Sequence, residues 1–263
     1  GAVKYYSETD TWYCHACEKG GDVFDYVSYR DSLSASEAAK QILARYSPGR
    51  KPAKKKETKP AEPKKDYTAF VKRCMENMPG SEGEAYLLGR GLTKETIARF
   101  MLGYDKEQYN KALKKKVESI VIPYDKSCTY FVTRPITEKA YDKPLTSEAG
   151  HEPLFNAAAL YSDTPAVFVV ESQLCAISIA QAGGTAVALG NNGAGRLMAQ
   201  LEERPTAAPL ILALDNDKAG EEGGERLADR LTAARQPFIR ANIAGDYKDP
   251  NERLQHDKAG LQA

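Results

Sequence analysis

Leu210-Ile-Leu-Ala-Leu-Asp215-Asn-Asp217-Lys-Ala-Gly220 is the stretch that decides the fold. An apolar run ends in two aspartates one residue apart, then a glycine, then a helical pattern. Residues i and i+2 of a strand point the same way, so Asp215 and Asp217 can converge just past the strand's end. The unbroken apolar run predicts a strand buried on both faces, as in a parallel sheet, whose ligands sit beyond the carboxyl ends of the strands. Two carboxylates there repel each other unless a divalent cation lies between them. An aspartate after a strand also serves as the N-cap of the next helix, and that reading stays open for this pair. Upstream, Ala166-Val-Phe-Val-Val170 is another apolar run that ends on an acid, Glu171. One acid from one strand end and two from another outline a hard-metal site.

The same rhythm extends to both sides. A strand at 166–170, helix at 173–182, strand at 185–189, helix at 196–203, strand at 210–214, helix at 219–234 and strand at 237–241 alternate as an α/β parallel sheet requires. In the helix after Asp217, Gly223, Leu227 and Leu231 are expected on one buried stripe, with Glu221, Glu222, Glu225, Arg226, Asp229 and Arg230 facing water. The loop Gly190-Asn-Asn-Gly-Ala-Gly195 reads either as a phosphate cradle or as a tight strand-to-helix turn. It lacks the Lys-Ser/Thr of a P-loop, which argues against an ATPase. Lys248-Asp249-Pro250-Asn251-Glu252 forms an acidic turn before a final short helix.

The N-terminal third differs in character. Thr11-Trp-Tyr-Cys14-His15-Ala-Cys17 followed by Gly20-Gly21 reads as one knuckle of a zinc ribbon, in which a tight turn presents two thiolates to one tetrahedral metal. Four ligands are needed, and no second CxxC or CxxH is present, so Cys14 and Cys17 make an incomplete zinc site whose other half would lie upstream of Gly1. Val23, Phe24, Tyr26 and Val27 predict a short helix on the knuckle, and Ser34-x-x-Glu37 is a capping box for a helix carrying Ala38, Ile42, Leu43 and Tyr46. From Ser47 to Lys65 prolines mix with Arg50, Lys51 and further lysines without apolar periodicity, the composition of an extended basic linker. Structure resumes with Tyr67, Phe70, Val71, Cys74 and Met78 at helical spacing. Two short helices follow over 85–104, with Gly91 ending the first and Thr93 capping the second. Ser119–Tyr124 and Thr129–Arg134 look like strands paired around an Asp125-Lys126 turn.

A chain of 263 residues can bury a large core and hold several domains. Its formal net charge of +1 announces no nucleic-acid partner by itself; the uneven placement of charge is more informative. Five cysteines at irregular spacing do not form a disulfide framework, so a reducing compartment is expected. With no apolar run long enough to cross a membrane and no signal peptide, a cytoplasmic protein without a membrane partner is expected. The chain opens on Gly rather than Met, which points to a processed start.

Glu171 at a strand end, Gly183-Gly184, Ala186-Val-Ala-Leu-Gly190 and Asp215-x-Asp217-x-Ala-Gly220 together resemble the TOPRIM fold of bacterial primases, type IA and II topoisomerases and certain nucleases. Two flanking regions narrow the resemblance. Tyr86-Leu-Leu-Gly-Arg90-Gly-Leu with Phe100-Met-Leu-Gly-Tyr104 is similar to the opening of the DnaG-type primase core. Trp12-Tyr-Cys-His-Ala-Cys17 through Asp22-Val-Phe-Asp-Tyr-Val27 is similar to the second half of that family's zinc-binding domain, and Lys248-Asp-Pro-Asn-Glu252 matches its acidic turn. The chain is thereby identified as a primase of the kind carried by bacteria and mobile elements. The implied fold class is α/β: a TOPRIM parallel-sheet domain at 162–245, preceded by a smaller α+β subdomain at 66–161, the linker at 47–65 and a partial zinc ribbon at 1–46. Residues 246–263 would begin a helical subdomain, and a helicase-binding domain would lie beyond Ala263, so contact with a replicative helicase is possible but not inferable.

The resemblance implies template-directed synthesis of RNA primers from ribonucleoside triphosphates on single-stranded DNA. It assigns Glu171, Asp215 and Asp217 as catalytic and metal residues for Mg²⁺ or Mn²⁺, Asp249 as a further metal candidate, and Arg90, Arg134 and Lys143 to nucleic-acid contact. Glu171 could instead act in proton transfer. Two departures stand out: Ser172 where the family usually has Gly, and Cys175 where it has an acid. The second would weaken metal binding or shift load to Asp249. The rival readings are a TOPRIM nuclease using the same acids and a DNA-binding accessory module whose site has decayed.

Overall fold

The computed structural model describes residues 3–7, 11–16, 19–46, 65–190 and 194–262. The chain divides into two compact units, Gly1–Glu62 and Pro63–Ala263. Among the described residues no helix is long and apolar enough to cross a membrane.

The first unit holds three antiparallel strands, β1 (Val3–Tyr6), β2 (Thr11–Cys14) and β3 (Lys19–Gly21), in that order. Helices α1 (Val23–Asp31) and α2 (Ala35–Tyr46) follow. Asp22 caps α1 through a capping box with Asp25, and Ser34 and Glu37 make the reciprocal bonds expected at α2. Trp12 fixes α1 to the sheet: its indole N–H donates to the Asp22 carbonyl at 3.0 Å and its ring meets Tyr26 edge-on. Cys14 ends β2 and is buried. Cys17 lies outside the described residues, as do the Leu43 and Tyr46 side chains and the 47–64 stretch of the expected linker.

The second unit begins with helices α3 (Thr68–Glu76), α4 (Glu82–Gly89) and α5 (Lys94–Arg99). Gly91, at φ +81°, stops α4, and the Thr93 hydroxyl caps α5. An antiparallel sheet follows, β4 (Gly103–Asn110), β5 (Lys115–Pro123) and β6 (Phe131–Pro135). Strand β4 was not expected from sequence. It is polar, bulges between Asp105 and Gln108, and buries only Gly103, Tyr104 and Asn110, so it carries no clean alternation. A short helix α6 (Thr146–Ala149) and a 3₁₀ turn (Ala157–Tyr161) lead to the parallel sheet.

That sheet comprises β7 (Val167–Val170), β8 (Ala186–Ala188), β9 (Leu210–Leu212) and β10 (Phe238–Arg240), in the order β10-β9-β7-β8. The connecting helices are α7 (Gln173–Gln181), α8 (Ala194–Glu203) and α9 (Lys218–Ala233), and α10 (Pro250–His256) with α11 (Lys258–Gln262) closes the chain. Strand alternation sorts the core into two. Val167, Val169, Leu210 and Leu212 pack with Leu197, Leu227 and Leu231 of α8 and α9. Val170, Ala186, Ala188 and Ala213 pack with α7, with Leu254 of α10 and with Leu87, Ile122 and Phe155 from the antiparallel half. Each fully buried Val or Leu contributes about 1.5–3 kcal/mol. The buried stripe of α9 is Gly220, Gly224, Leu227 and Leu231, so Gly224 rather than Gly223 faces the sheet. The spacing i, i+4, i+7, i+11 starts one turn earlier than the sequence suggested, because Gly220 is itself packed against the strand end.

Candidate functional site

The strand order places β7 and β9 side by side while their helices leave toward β8 on one side and β10 on the other. Such a switch point opens a crevice beyond the strand ends. Glu171 leaves β7 there and Asp215 leaves β9. The Glu171 carboxylate accepts from the backbone N–H of Asp215 at 3.3 Å. Asp217 takes the capping role that its place after a strand allows: its Oδ1 accepts from the Gly220 N–H at 3.0 Å, while its Oδ2 pairs with the Lys248 ammonium at 2.8 Å. Gly220 is obligatory, since a Cβ there would lie 2.1 Å from the Asp215 carbonyl oxygen and 2.9 Å from Glu171 Oε1. Asp249 caps α10 through the Glu252 N–H at 2.8 Å.

Asn216 ties the last acid to the others. Its side-chain amide donates to the carbonyls of Gly245 at 3.0 Å and Tyr247 at 2.7 Å, and its backbone N–H donates to the Lys248 carbonyl at 2.7 Å. The residue between the two aspartates thus pins the Lys248–Asp249 turn onto the crevice. Sequence reasoning passed over it; the available signal was an Asn flanked by two acids at a strand end, where Asn side chains bond local backbone.

Crowding of carboxylates shapes the electrostatics. Burial, then Glu171 and Asp249, push Asp215 up to about 7. Burial also raises Glu171. Asp217 goes the other way, lowered by its bond to Lys248 and by the Gly220 N–H. Lys248, read from sequence only as the start of the acidic turn, has its Nζ 2.8 Å from Asp217 and 3.8 Å from Asp215. Buried Cys175 brings its thiol into a cluster with carboxylate oxygens of Asp215 and Asp249, all within 4.8 Å of one another, and burial raises that thiol. Oxygen donors gathered on a half-buried floor with raised protonation are the donor set a hard divalent cation takes, and a cation there would relieve the repulsion that an ammonium now partly offsets.

Three openings adjoin this floor. The widest, about 640 Å³, lies on the Asp217 side and is lined by Asp215, Asn216, Asp217, Gly220 and Arg240. A cleft of about 360 Å³ runs from Asp215, Lys248 and Asp249 to Arg90, Arg134 and His256. A smaller cavity of about 150 Å³ lies beyond Glu171, walled by Lys143, Glu152 and Gly190. Val132 and Arg134 alternate with Phe131 and Thr133 on β6, which turns Arg134 toward the acids. Its guanidinium lies 6.0 Å from the centre of the Tyr86 ring and 5.1 Å from that of Tyr141, and donates to the Tyr141 hydroxyl. Its Nε is buried without an acceptor among the described residues. Arg90 is committed in part to structure, its Nε donating to Asn251 Oδ1 at 2.7 Å. Lys143 stands on the smaller cavity rather than in the cleft with the arginines, and pairs with Glu152. Of the Gly190–Gly195 loop, residues 191–193 lie outside the described residues.

Residues 168–254 match the Toprim-like family. The DNA primase of Deinococcus radiodurans is 27% identical over 298 residues, covering 97% of this chain and 52% of that protein, so the chain spans about half the length of this relative. Among solved structures, the zinc-binding and RNA polymerase domains of the Aquifex aeolicus primase align with a TM-score of 0.56 at 20% identity, covering 99% of this chain and 73% of that one. A DnaG primase catalytic domain bound to single-stranded DNA gives a TM-score of 0.56 at 20% identity, covering 74% of each chain. The mixed α/β fold with its parallel four-stranded sheet is therefore one that primase cores share.

Proposed function

We propose that this chain, similar in sequence to bacterial DnaG-type primases and sharing their fold, carries the nucleotidyl-transfer centre of a DNA primase. One observation bears most of the weight: Asp215 stands at the switch point of the parallel sheet, bonded through its N–H to Glu171 and sharing Lys248 with Asp217, and the cleft it lines with Asp249 reaches Arg90 and Arg134. In the proposed reaction the 3′-hydroxyl of one ribonucleotide attacks the α-phosphate of the next and expels pyrophosphate. Glu171, Asp215 and Asp217 would hold Mg²⁺ or Mn²⁺, with Asp249 and Cys175 at the margin. When bound, such ions lower the pKa of the attacking hydroxyl and neutralise charge at the phosphorus.

The chain's own residues supply the rest. Burial of Asp215 and Glu171 keeps water from screening their charge. Single-stranded DNA, the ligand bound to one of the solved relatives, would lie along the cleft with its phosphates toward Arg134. Arg134 lines that cleft, and Tyr141 beside it offers a face for an unpaired base. Lys143 takes part from the adjoining cavity. Cys14 and Cys17 would provide two of the four ligands of a structural zinc.

The test is incubation with a single-stranded DNA template, labelled ribonucleoside triphosphates and Mg²⁺ or Mn²⁺. Labelled oligoribonucleotide is expected from the wild type and not from Asp215→Asn. No product under either metal overturns the proposal, and metal-dependent shortening of the DNA would instead assign the acids to a nuclease.

A further inference from the structure

The small cavity beyond Glu171 has a wall in which Lys143 does not stand alone. Glu152 sits at its centre, largely buried, and its Oε2 takes both the Lys143 ammonium and the Arg196 guanidinium, the latter at 2.8 Å. Its Oε1 accepts from the Tyr124 hydroxyl, which itself accepts from Gln173 Nε2 at 2.9 Å. Every proton direction is thereby fixed: Gln173 gives to Tyr124, and Tyr124 can only give to Glu152. Gly190, at φ +59°, makes room for this arrangement, since a Cβ there would lie 3.1 Å from Glu152 Oε1.

This is more than a structural ion pair needs. One carboxylate holds two cations, so the wall keeps a net positive charge after pairing. Opposite, on the same cavity, stand Glu171 and Asp215. Packing alone would be served as well by apolar residues of similar volume. The partners are also unequal. Lys143 lines the cavity, as does Gln173, whereas Arg196 and Tyr124 hold Glu152 without lining it. Lysine carries its charge on a flexible four-carbon stem, whose freedom opposes holding it at one place. A rigid, three-sided anchor removes that freedom.

We infer that Glu152 is a positioning residue, anchored by Arg196 and Tyr124, that holds the Lys143 ammonium in the cavity to receive an anionic phosphate oxygen of the incoming nucleotide. The inference rests on the primase reading and extends it to the side of the site away from the template cleft. A cavity of about 150 Å³ with acids on one wall and a held cation on the other suits a phosphate group rather than a base.

The test reads nucleotide binding without catalysis. A fluorescent ribonucleoside triphosphate is titrated in Mg²⁺ against the wild type, Lys143→Ala, Glu152→Ala, Glu152→Asp and the double variant Glu152→Ala/Lys143→Ala. The single alanine variants are expected to weaken binding about tenfold each, the double variant no further than Lys143→Ala alone, and Glu152→Asp to recover part of the loss. Folding is followed in parallel by thermal unfolding. If Glu152→Ala does not fold, Glu152→Gln, which keeps the Tyr124 bond and loses the charge, carries the same comparison. Unchanged binding by a folded Glu152 variant, or losses that multiply in the double variant, would overturn the positioning role while leaving the primase reading intact. Failure of the wild type to bind any nucleoside triphosphate would overturn both.

Discussion

The acids and the cations around the ends of the parallel strands are held by different means. Glu171, Asp217 and Asp249 each accept from a main-chain N–H, of Asp215, Gly220 and Glu252 respectively. Arg90, Arg134 and Lys143 are each held by another side chain, Asn251, Tyr141 and Glu152. Asp217 and Asp249 are each placed by the helix they start, 3 residues from the N–H they bind, whereas Glu171 depends on a donor 44 residues away. Among the cations the reach varies as widely: 7 residues for Arg134 and Tyr141, 9 for Lys143 and Glu152, and 161 for Arg90 and Asn251. The contrast is therefore one of anchor rather than of distance along the chain: main-chain donors hold these acids, and side chains hold the cations.

The sharpest way to break this contrast is through charge. Asp215 titrates near 7 in the folded protein, above its value in an unfolded chain. Between about pH 4 and 7 the folded state binds the extra proton, so this group's contribution to stability falls as pH rises, by about 1.4 kcal/mol per unit and about 4 kcal/mol over the window. Chemical denaturation in a metal chelator should show that slope, and Asp215→Asn should flatten it while abolishing primer synthesis. A slope unchanged in the variant would remove Asp215 as its origin.

Next in size is Gly220→Ala. The methyl group has no room against the Asp215 carbonyl, and a cost of about 1–3 kcal/mol is expected from the forced shift. Because that shift moves Asp215 and Asp217 together, activity should fall more than stability, as read by primer yield against the melting temperature. On the basic wall, Arg134→Ala should weaken single-stranded DNA binding about tenfold and lower its salt dependence by about one counterion, leaving the stability slope with pH untouched. The smallest effect is expected for the stability of Asp217→Asn: asparagine caps α9 as well as aspartate does, so the folding free energy should move by about 0.5 kcal/mol or less even as metal-dependent activity is lost. A large loss of stability would mean that the carboxylate's charge, not its bond to Gly220, holds the helix start.

Reach along the chain explains what could be read from the residues alone. The βα alternation over 165–245, the Thr93 and Ser34 caps and the strand-end acids are short-range patterns, and they stand in the structure as expected. Strand β4 escaped because a polar, bulged edge of a sheet has no period to detect. Lys248 and Asn216 escaped because their significance lies in the distance between the Asp215 turn and the α10 turn, which no spacing reports. Glu152 escaped for a related reason. An acid between His151 and Pro153 looks like any surface loop residue until β5, α7 and α8 bring Tyr124, Gln173 and Arg196 around it.

Asn251 has a bearing on how the second unit comes apart. Fully buried, it receives the Arg90 guanidinium and donates to the Arg90 carbonyl at 3.1 Å and to Ser178 Oγ at 2.9 Å, while Gln181 of the same α7 bonds both Gly91 and Thr93. Opening the α4–α5 turn thus exposes unpaired groups on α7 and α10 at the same moment. Amide hydrogens of α4, α7 and α10 should exchange with one common free energy, well above that of the chain end at α11. Parallel and antiparallel sheets would then unfold as one cooperative block, and neither would survive being cut from the other.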